Sequence, residues 1–504
     1  MRWILPDEPL PVNGQWHNGR IDTDPLAIVA ADGVFTYHDL AESAARVAAG
    51  LLDGAPDLQD ARVAYLVPPS FGHVAVSRGI WQAGGVAVPL AVSHPEAELE
   101  YVVRDAGASI VVASGRLAES LRAVSARAGA RFLDTHDLLA GLDVPEPRQQ
   151  PEPPRQARRA LIVYTSGTTG RPKGVVTTHG QIAAQIASLL DAWGWTAADR
   201  ALLVLPLHHV HGIINVLGSA LAAGAVCEIP PQFDPFGTWQ RLAEGEVTVF
   251  SAVPTIYHRL IAAWEAASPA QQRRWSDGSR QLRLMMSGSA ALPLRTLDRW
   301  RAITGHTLLE RYGMTETGMI LSNPLRGERR PGAVGTPLPG VEVRLADDEI
   351  EVRGPGVFSE YWQRPEETEA AFRDGWFRTG DVAVLEHGVY RLLGRRSTDI
   401  LKTGGFKVSA LEIEDVLREH PAVADAAVVG APDDEWGQRV IAVVELQPGT
   451  TLRLDEMREW LKPRLAPYKI PRELRAVEAL PRNAMGKVNK PALGKEPGGD
   501  GEGC

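Results

Sequence analysis

The sequence predicts an α/β protein with a large, multi-layered N-terminal domain built on parallel sheets and a small α+β C-terminal domain. Three observations predict it. From about residue 35 to about residue 345, apolar strand-like runs alternate with amphipathic helical stretches, the pattern of parallel strands joined by helical crossovers. At 504 residues the chain is too long for one compact core. Near residue 395 the texture changes at the polar segment Gly394-Arg395-Arg396-Ser397-Thr398-Asp399, leaving roughly 100 residues beyond it, a length that folds alone.

The elements follow in order. Phe35-Thr36-Tyr37-His38-Asp39-Leu40 reads as a strand passing into an Ala-rich helix that runs to about residue 55. Residues 79–112 read as helix, Gly84-Gly85 turn, the strand Val86-Ala87-Val88-Pro89-Leu90, a second helix, and the strand Ile110-Val111-Val112. Residues 143–158, rich in Pro, Gln, Glu and Arg, read as an exposed connection, and Leu161-Ile162-Val163-Tyr164 as a buried strand. The chain carries no internal repeat. Residues 496–504 are polar and glycine-rich and are expected to be disordered. The expected domains are therefore 1–395 and 396–495.

Bulk properties exclude several classes. The net charge of −9 argues against a nucleic-acid surface, and two cysteines, Cys227 and Cys504, rule out a disulfide framework or a multi-cysteine zinc site. Residues Met1 to Glu8 lack a secretory or organellar leader, and no apolar run reaches membrane-spanning length. The terminal Gly-Glu-Gly-Cys is not a prenylation box, since its cysteine is the last residue. A soluble cytoplasmic protein with no nucleic-acid or membrane partner is the expectation. Of 53 Lys plus Arg, only eight are lysines (173, 402, 407, 462, 469, 487, 490 and 495), so a lysine kept in a glycine-rich segment marks a place where a compact ammonium serves better than a guanidinium.

The most informative stretch is Tyr164-Thr165-Ser166-Gly167-Thr168-Thr169-Gly170-Arg171-Pro172-Lys173-Gly174. Its glycines let backbone N–H groups approach phosphate oxygens, and the hydroxyls and Lys173 add to the grip. It is not a Walker A loop, because Gly174 stands where the magnesium-binding Ser/Thr would follow the lysine. Four further segments carry chemistry: Ser287-Gly288-Ser289-Ala290-Ala291, Arg311-Tyr312-Gly313-Met314-Thr315-Glu316-Thr317, Thr379-Gly380-Asp381 and Pro481-Arg482-Asn483-Ala484-Met485-Gly486-Lys487. The run His208-His209-Val210-His211-Gly212 suggests zinc at first sight. In an extended segment, however, His208 and His209 point to opposite sides, and no cysteine or acidic residue completes the set.

In this order the motifs resemble those of the adenylate-forming superfamily, which comprises acyl-CoA synthetases, nonribosomal peptide adenylation domains and luciferases. The likeness runs from about residue 30 to residue 493, and it implies ATP, Mg2+ and coenzyme A as co-reactants. It implies that Thr165, Ser166, Gly167, Thr168, Thr169, Gly170 and Lys173 hold phosphates, that Tyr312 stacks on adenine, and that Thr315 contacts the α-phosphate. Glu316, with Thr168, binds magnesium. Gly288, Ser289, Ala290 and Glu310 line the nucleotide pocket, Asp381 accepts the ribose hydroxyls, and Arg395 helps hold the nucleotide. Lys487 reaches into the N-terminal domain during adenylation, and His209, after Pro206-Leu207, gates the route to the acyl pocket. Gly404 and Gly405 face the CoA tunnel once the mobile C-terminal domain has swung. Between Gly394-Arg395 and Ile400-Leu401 there is one residue more than in many relatives, so either Thr398 or Asp399 is the pivot. The segment Ala346-Asp347-Asp348-Glu349-Ile350 lacks the usual Gly-Glu lead-in, which points to a trimmed surface hairpin.

Arg311 carries the substrate information. A guanidinium beside an acyl pocket is costly unless paired, and it offers a two-pronged fork to a second carboxylate. Its run Leu309 to Thr317, with Leu207 to Gly212 and Lys402-Thr403-Gly404-Gly405-Phe406-Lys407-Val408, resembles malonyl-CoA synthetases. That likeness implies that Arg311 binds the distal carboxylate of malonate, and that Val210 and Met314 limit the α-substituent. Ser287, Gly313 and His209 complete the acyl pocket. Pairing of Arg311 with Glu310 is the structural alternative. The implied chemistry is attack of malonate on the α-phosphate, with Lys173, Thr168, Glu316 and Lys487 stabilising charge, followed by thiol attack on malonyl-AMP. Competing readings are a short-chain or other dicarboxylate synthetase, a stand-alone amino-acid adenylation enzyme, a P-loop kinase, and a silent nucleotide-binding protein. The expected partners are small molecules only, with a monomer or weak homo-oligomer as the assembly.

Overall fold

The computed structural model describes residues 24–140, 156–165, 172–433, 435–482 and 488–493. Among them lie four sheets flanked by helices. The largest has nine strands. Its interior, Leu26–Ala30, Val226–Ile229, Arg200–Leu202, Val249–Ala252, Leu284–Ser287 and Leu309–Met314, is parallel throughout, and antiparallel strands close its two edges. The seven-stranded sheet has the parallel order Arg159–Thr165, Val86–Pro89, Arg62–Leu66, Ile110–Ala113, Arg131–Asp134, with Lys173–Thr178 added antiparallel to Arg159–Thr165. The predicted α/β alternation with parallel sheets is thus what the chain adopts.

Local chemistry explains the element starts. Thr36 and Thr178 each cap the helix that follows, Tyr37–Leu52 and His179–Trp193, in capping boxes with Asp39 and Gln181. The second box sets the exit of Lys173–Thr178, so it also orients the hairpin that carries the phosphate-loop residues. Helices pack on the nine-stranded sheet through the fully buried Trp193, Trp239 and Trp300; Trp239 and Trp300 stack with centroids 5.1 Å apart.

A third, antiparallel sheet contains Glu342–Ala346, Glu349–Arg353, Trp376–Glu386 and Val389–Arg395. Its first hairpin turns on Asp347 and Asp348, both at positive φ, a two-residue turn whose twist matches the strands. This is the tight hairpin expected from the shortened segment. The fourth sheet holds Ile400–Thr403, Phe406–Ser409, Val423–Asp433, Gly437–Leu446 and Glu473–Val477 around its own apolar cluster. No helix among the described residues is long and apolar enough to cross a membrane. Thr178→Ala, which removes a cap from the helix behind the phosphate hairpin, is expected to lower stability by about 1 kcal/mol, read as a fall in Tm.

Candidate active site

The carboxyl ends of Val249–Ala252, Leu284–Ser287 and Leu309–Met314 lie together at one end of the sheet, the position of the ligand crevice in α/β sheets. Along Leu309–Met314 the side chains alternate. Glu310 turns to one face, where its carboxylate accepts from the Gly332 N–H at 2.9 Å, and Arg311 turns to the other. Strand geometry therefore separates the two, and the neighbour ion pair left open by the sequence is not made.

Arg311 is 3% exposed. Its Nη2 donates to His211 Nε2, while Nε and Nη1 have no partner among the described residues, and no carboxylate there pairs with it. Burial brings its pKa down to about 10, with Tyr257 opposing. Gly288 lets the next loop lie against the guanidinium, since a Cβ there would stand 2.2 Å from Nη1 and 2.6 Å from Cζ. His211 is held neutral, its pKa well below the usual imidazole value, chiefly by burial and then by Arg311. Its Nδ1 lies 3.1 Å from Ser289 Oγ and its Nε2 2.8 Å from Ser251 Oγ. With the proton on Nδ1, the ring donates to Ser289 and accepts from Arg311 and Ser251, which fixes both ring and guanidinium. His211 opens the π-helix His211–Gly218, a rare element often found at functional sites. Ser287 Oγ and both amide atoms of Asn215 are likewise buried without partners among the described residues. An anion is the group that would satisfy this donor set.

The second half of the crevice is built on hairpin ends. Tyr312 donates to Asp381 Oδ2 at 2.5 Å, and Arg395 Nε lies 3.0 Å from Asp381 Oδ1. Asp381 and Arg395 face each other in register across Trp376–Glu386 and Val389–Arg395, so the carboxylate is held from two sides. Burial opposes the Arg395 charge, but Asp381, Tyr312 and Glu316 outweigh it and raise its pKa. Glu316 sits in the turn after Met314, buried, with the Tyr361 hydroxyl donating to Oε1 at 2.9 Å. Burial raises its pKa, with hydrogen bonds opposing. A buried carboxylate with one side-chain donor is suited to a hard cation brought in with phosphates. Thr315 lies in the same turn, partly buried. Lys173 pairs with Glu367 and lies 5.3 Å from the Tyr361 ring, which joins the phosphate hairpin to Glu316. Gly313 packs against Gly318, where a Cβ would meet the Gly318 carbonyl oxygen at 2.0 Å.

The histidine run corrects one expectation. His208 and His209 do not diverge; they lie in a turn, with ring centroids 4.2 Å apart. The backbone leaves the sheet after Leu202, and the His209 carbonyl accepts from Gly212 and Ile213 N–H at 3.0 Å each as the π-helix begins. Burial takes His209 down to about 4 and His208 to about 3, so both are neutral at pH 7. His208, Pro206 and Leu207 line a cleft of 270 Å³ with His73, Leu90 and Phe233. Val210 is buried in the adjoining core and Met314 is partly buried. Gly404 and Gly405 form the turn between Ile400–Thr403 and Phe406–Ser409, both at positive φ, and Gly404 lies beneath the Trp436 ring. Thr398 N–H and Asp399 N–H both donate to the Arg395 carbonyl, which makes residues 395–399 a compact turn.

Ser166, Gly167, Thr168, Thr169, Gly170 and Lys487 lie outside the described residues. Their flanks are described: Thr165 pairs with Lys173, and Arg482 with Val488. Ala290 follows Ser289, whose φ of 68° turns the loop toward His211. Sequence reasoning missed the parts played by His211, Tyr361 and Glu367. Only His211 carried a signal, as the third histidine of a run in a chain with 13 histidines.

Glu310, pushed up to about 8 chiefly by burial, makes a prediction. Its folded pKa lies above the unfolded value, so its contribution to stability is full below the unfolded pKa and is lost as pH rises through about 8. Wild-type Tm is expected to fall from about pH 6 to about pH 9, and to fall less in Glu310→Gln. Gly288→Ala is expected to dislodge the Arg311 guanidinium, measured as loss of anion binding beside Arg311.

Comparison with known proteins agrees with this geometry. Residues 16–362 match the AMP-binding enzyme family, and residues 412–487 match the AMP-binding enzyme C-terminal domain. The mitochondrial malonate–CoA ligase of Mus musculus is 45% identical over 516 residues, covering 94% of this chain and 88% of the relative. ATP-bound MatB from Rhodopseudomonas palustris superposes with a TM-score of 0.86 at 36% identity, covering 94% of this chain and 96% of that one. A malonyl-CoA ligase in a ternary product complex with methylmalonyl-CoA and AMP gives 0.68 at 37% identity, covering 94% of this chain and 100% of that one. With identity and coverage so similar, the present arrangement of the chain is nearer that of the ATP-bound protein. On a family match spanning well over half its length, and on a close relative covering nearly all of it, this chain belongs to the AMP-binding enzyme family.

Proposed function

We propose that this protein is an AMP-forming malonate–CoA ligase, converting malonate, ATP and CoA into malonyl-CoA, AMP and pyrophosphate through malonyl-AMP. The observation that carries the reading is Arg311, a buried guanidinium with two N–H edges and no carboxylate partner among the described residues. One carboxylate of malonate supplies that partner, and the other is left at the reacting end. The malonate–CoA ligases among its relatives support the same substrate.

In the first step a malonate oxygen attacks the α-phosphorus, and the bond to pyrophosphate breaks. Asp381, backed by Tyr312 and Arg395, holds the ribose; Tyr312 also presents its ring to adenine, with Gly288, Ser289, Ala290 and Glu310 around the pocket. Thr165 to Gly170, Thr315 and Lys173 take the phosphates, with Lys173 exchanging Glu367 for phosphate oxygen. Glu316 and Thr168 would hold magnesium, whose charge offsets that of the triphosphate. Lys487 stabilises charge as the two anions meet, the kind of preorganised electrostatic contribution that dominates such steps. In the second step the C-terminal domain turns about Thr398 or Asp399, and the thiol of CoA passes Gly404, Gly405 and His209. Sulfur attacks the acyl carbon, and AMP leaves with its C–O bond broken. Val210, Met314, Ser287 and Gly313 shape the acyl pocket. A malonyl-CoA ligase has been solved with methylmalonyl-CoA, which supports methylmalonate as a second substrate here.

The change of sheet between Val389–Arg395 and Ile400–Thr403 supports domains at 1–395 and 396–495, with 496–504 as a tail. A cytoplasmic monomer or weak homo-oligomer completes the proposal, and cell fractionation and light scattering test these two points.

The decisive assay measures pyrophosphate and AMP release with ATP, Mg2+ and CoA across malonate, methylmalonate, succinate, acetate, butyrate and octanoate. Malonate is expected to be preferred; preference for a monocarboxylate would overturn the substrate assignment. Arg311→Ala is expected to forfeit about 3–5 kcal/mol of malonate recognition, a fall in kcat/KM on the order of 10²–10⁴-fold, with nucleotide binding retained. Lys487→Ala is expected to slow pyrophosphate release on the order of 10²-fold or more.

A further inference from the structure

Lys490 is one of only eight lysines in the chain and is nearly buried, 11% exposed at its side chain. Its Nζ lies 2.6 Å from Asp399 Oδ1 and 2.6 Å from Glu414 Oε1. A compact ammonium fits between two carboxylates at that spacing, where a guanidinium would impose its own plane. The contact joins parts of the chain with different tasks. Asp399 belongs to the turn after Arg395 and accepts the Arg395 N–H on Oδ2 at 2.9 Å, and Arg395 in turn holds Asp381. Lys490 stands just beyond the bridge Arg482↔Val488, which closes the base of the segment ending in Lys487.

Both sides of that base are tied to one network. Glu414 accepts the Val428 N–H at 2.8 Å and faces Arg418 Nη2 at 3.4 Å. Arg418 Nε lies 2.8 Å from Asp425 Oδ1, and Asp425 pairs with Arg482. A continuous line of charge-assisted contacts thus runs from Asp381 through Arg395, Asp399, Lys490, Glu414, Arg418 and Asp425 to Arg482. Buried ion pairs contribute modestly to net stability but hold geometry tightly, because losing one partner strands the other.

We propose that Lys490 is a positioning residue for the adenylate-forming half-reaction: through Asp399 and Glu414 it locks the base of the Lys487 segment to the pivot in the arrangement that resembles the ATP-bound relative. The inference rests on the proposed function. When the pivot turns for thioester formation, Asp399 changes its backbone relation to Arg395, and the contact that spans the boundary, Arg395 N–H to Asp399 Oδ2, is held from its other side by Lys490. Lys490 therefore sets both the hold on the Arg482↔Val488 bridge and the persistence of the first arrangement.

Three variants test it: Lys490→Gln, Asp399→Asn and the double variant. Pyrophosphate release with malonate reads the first half-reaction, and CoA-dependent AMP release from presynthesised malonyl-AMP reads the second. Both single substitutions keep polar atoms of similar shape, and a melting curve reports the folded fraction. Each is expected to slow the first half-reaction on the order of 10²-fold, the scale of a small misplacement, and to change the second far less. The double variant is expected to lose little beyond either single one, because the two residues act as one contact. Equal losses in both half-reactions, additive losses in the double variant, or an unaltered first half-reaction in Asp399→Asn would overturn the proposal. A wild-type chain that releases no pyrophosphate with any acid would instead sink the functional reading on which it rests.

Discussion

A buried cation with no counter-ion among the described residues is the constraint on which the proposed acyl half of this molecule depends. Arg311 projects from a central strand into the interior, and the surroundings are arranged to tolerate it without neutralising it. Gly288 gives its backbone to one face of the guanidinium, a neutral His211 accepts from one edge, and Ser251 and Ser289 hold the histidine. Tyr257, under the same strand end, donates to the Met286 carbonyl at 2.7 Å and keeps the support in place. A carboxylate from this chain would stabilise the fold more, and would also occupy the position that an acidic substrate requires. Stability is relinquished at the point where recognition needs an open charge.

The proposed nucleotide half follows the opposite logic, and the charges described there are already engaged. Asp381 is held by Tyr312 and Arg395, Lys173 by Glu367, and Glu316 by Tyr361. Arg311 and Tyr312 are neighbours on one strand, Leu309–Met314, and their side chains turn to opposite faces of it, one toward each half. On the proposed function the division matches the chemistry: a polyanion would enter by exchanging partners on preformed groups, while a small diacid would be selected by one unanswered charge. Arg395 links Asp381 to the C-terminal region, because its side chain holds Asp381 and its backbone N–H donates to Asp399.

Much of this was legible locally. The strand-to-helix passage at Phe35 to Leu40 was read from the sequence, because the Thr36 cap that starts the helix bonds within three residues. The tight Asp347-Asp348 hairpin also follows from nearby residues alone. The histidine run was misread for an equally physical reason. Period-two alternation holds only within a strand, and the chain had already left the sheet, with Gly212 set so close to Pro206 that a Cβ would stand 2.5 Å from its carbonyl oxygen.

By itself the sequence determined the α/β class, the order of the phosphate, nucleotide and C-terminal motifs, and the presence of an arginine where an uncharged acid would want an apolar residue. Only the tertiary structure decided that Glu310 and Arg311 part company, that His211 and not a carboxylate meets the guanidinium, and that Lys490 bridges Asp399 and Glu414. The reason is distance along the chain. Arg311 and His211 are 100 residues apart and Lys490 and Asp399 are 91 apart, so their pairing exists only once the sheets have closed. Residue type sets what a side chain can do, and packing sets which partner it is denied.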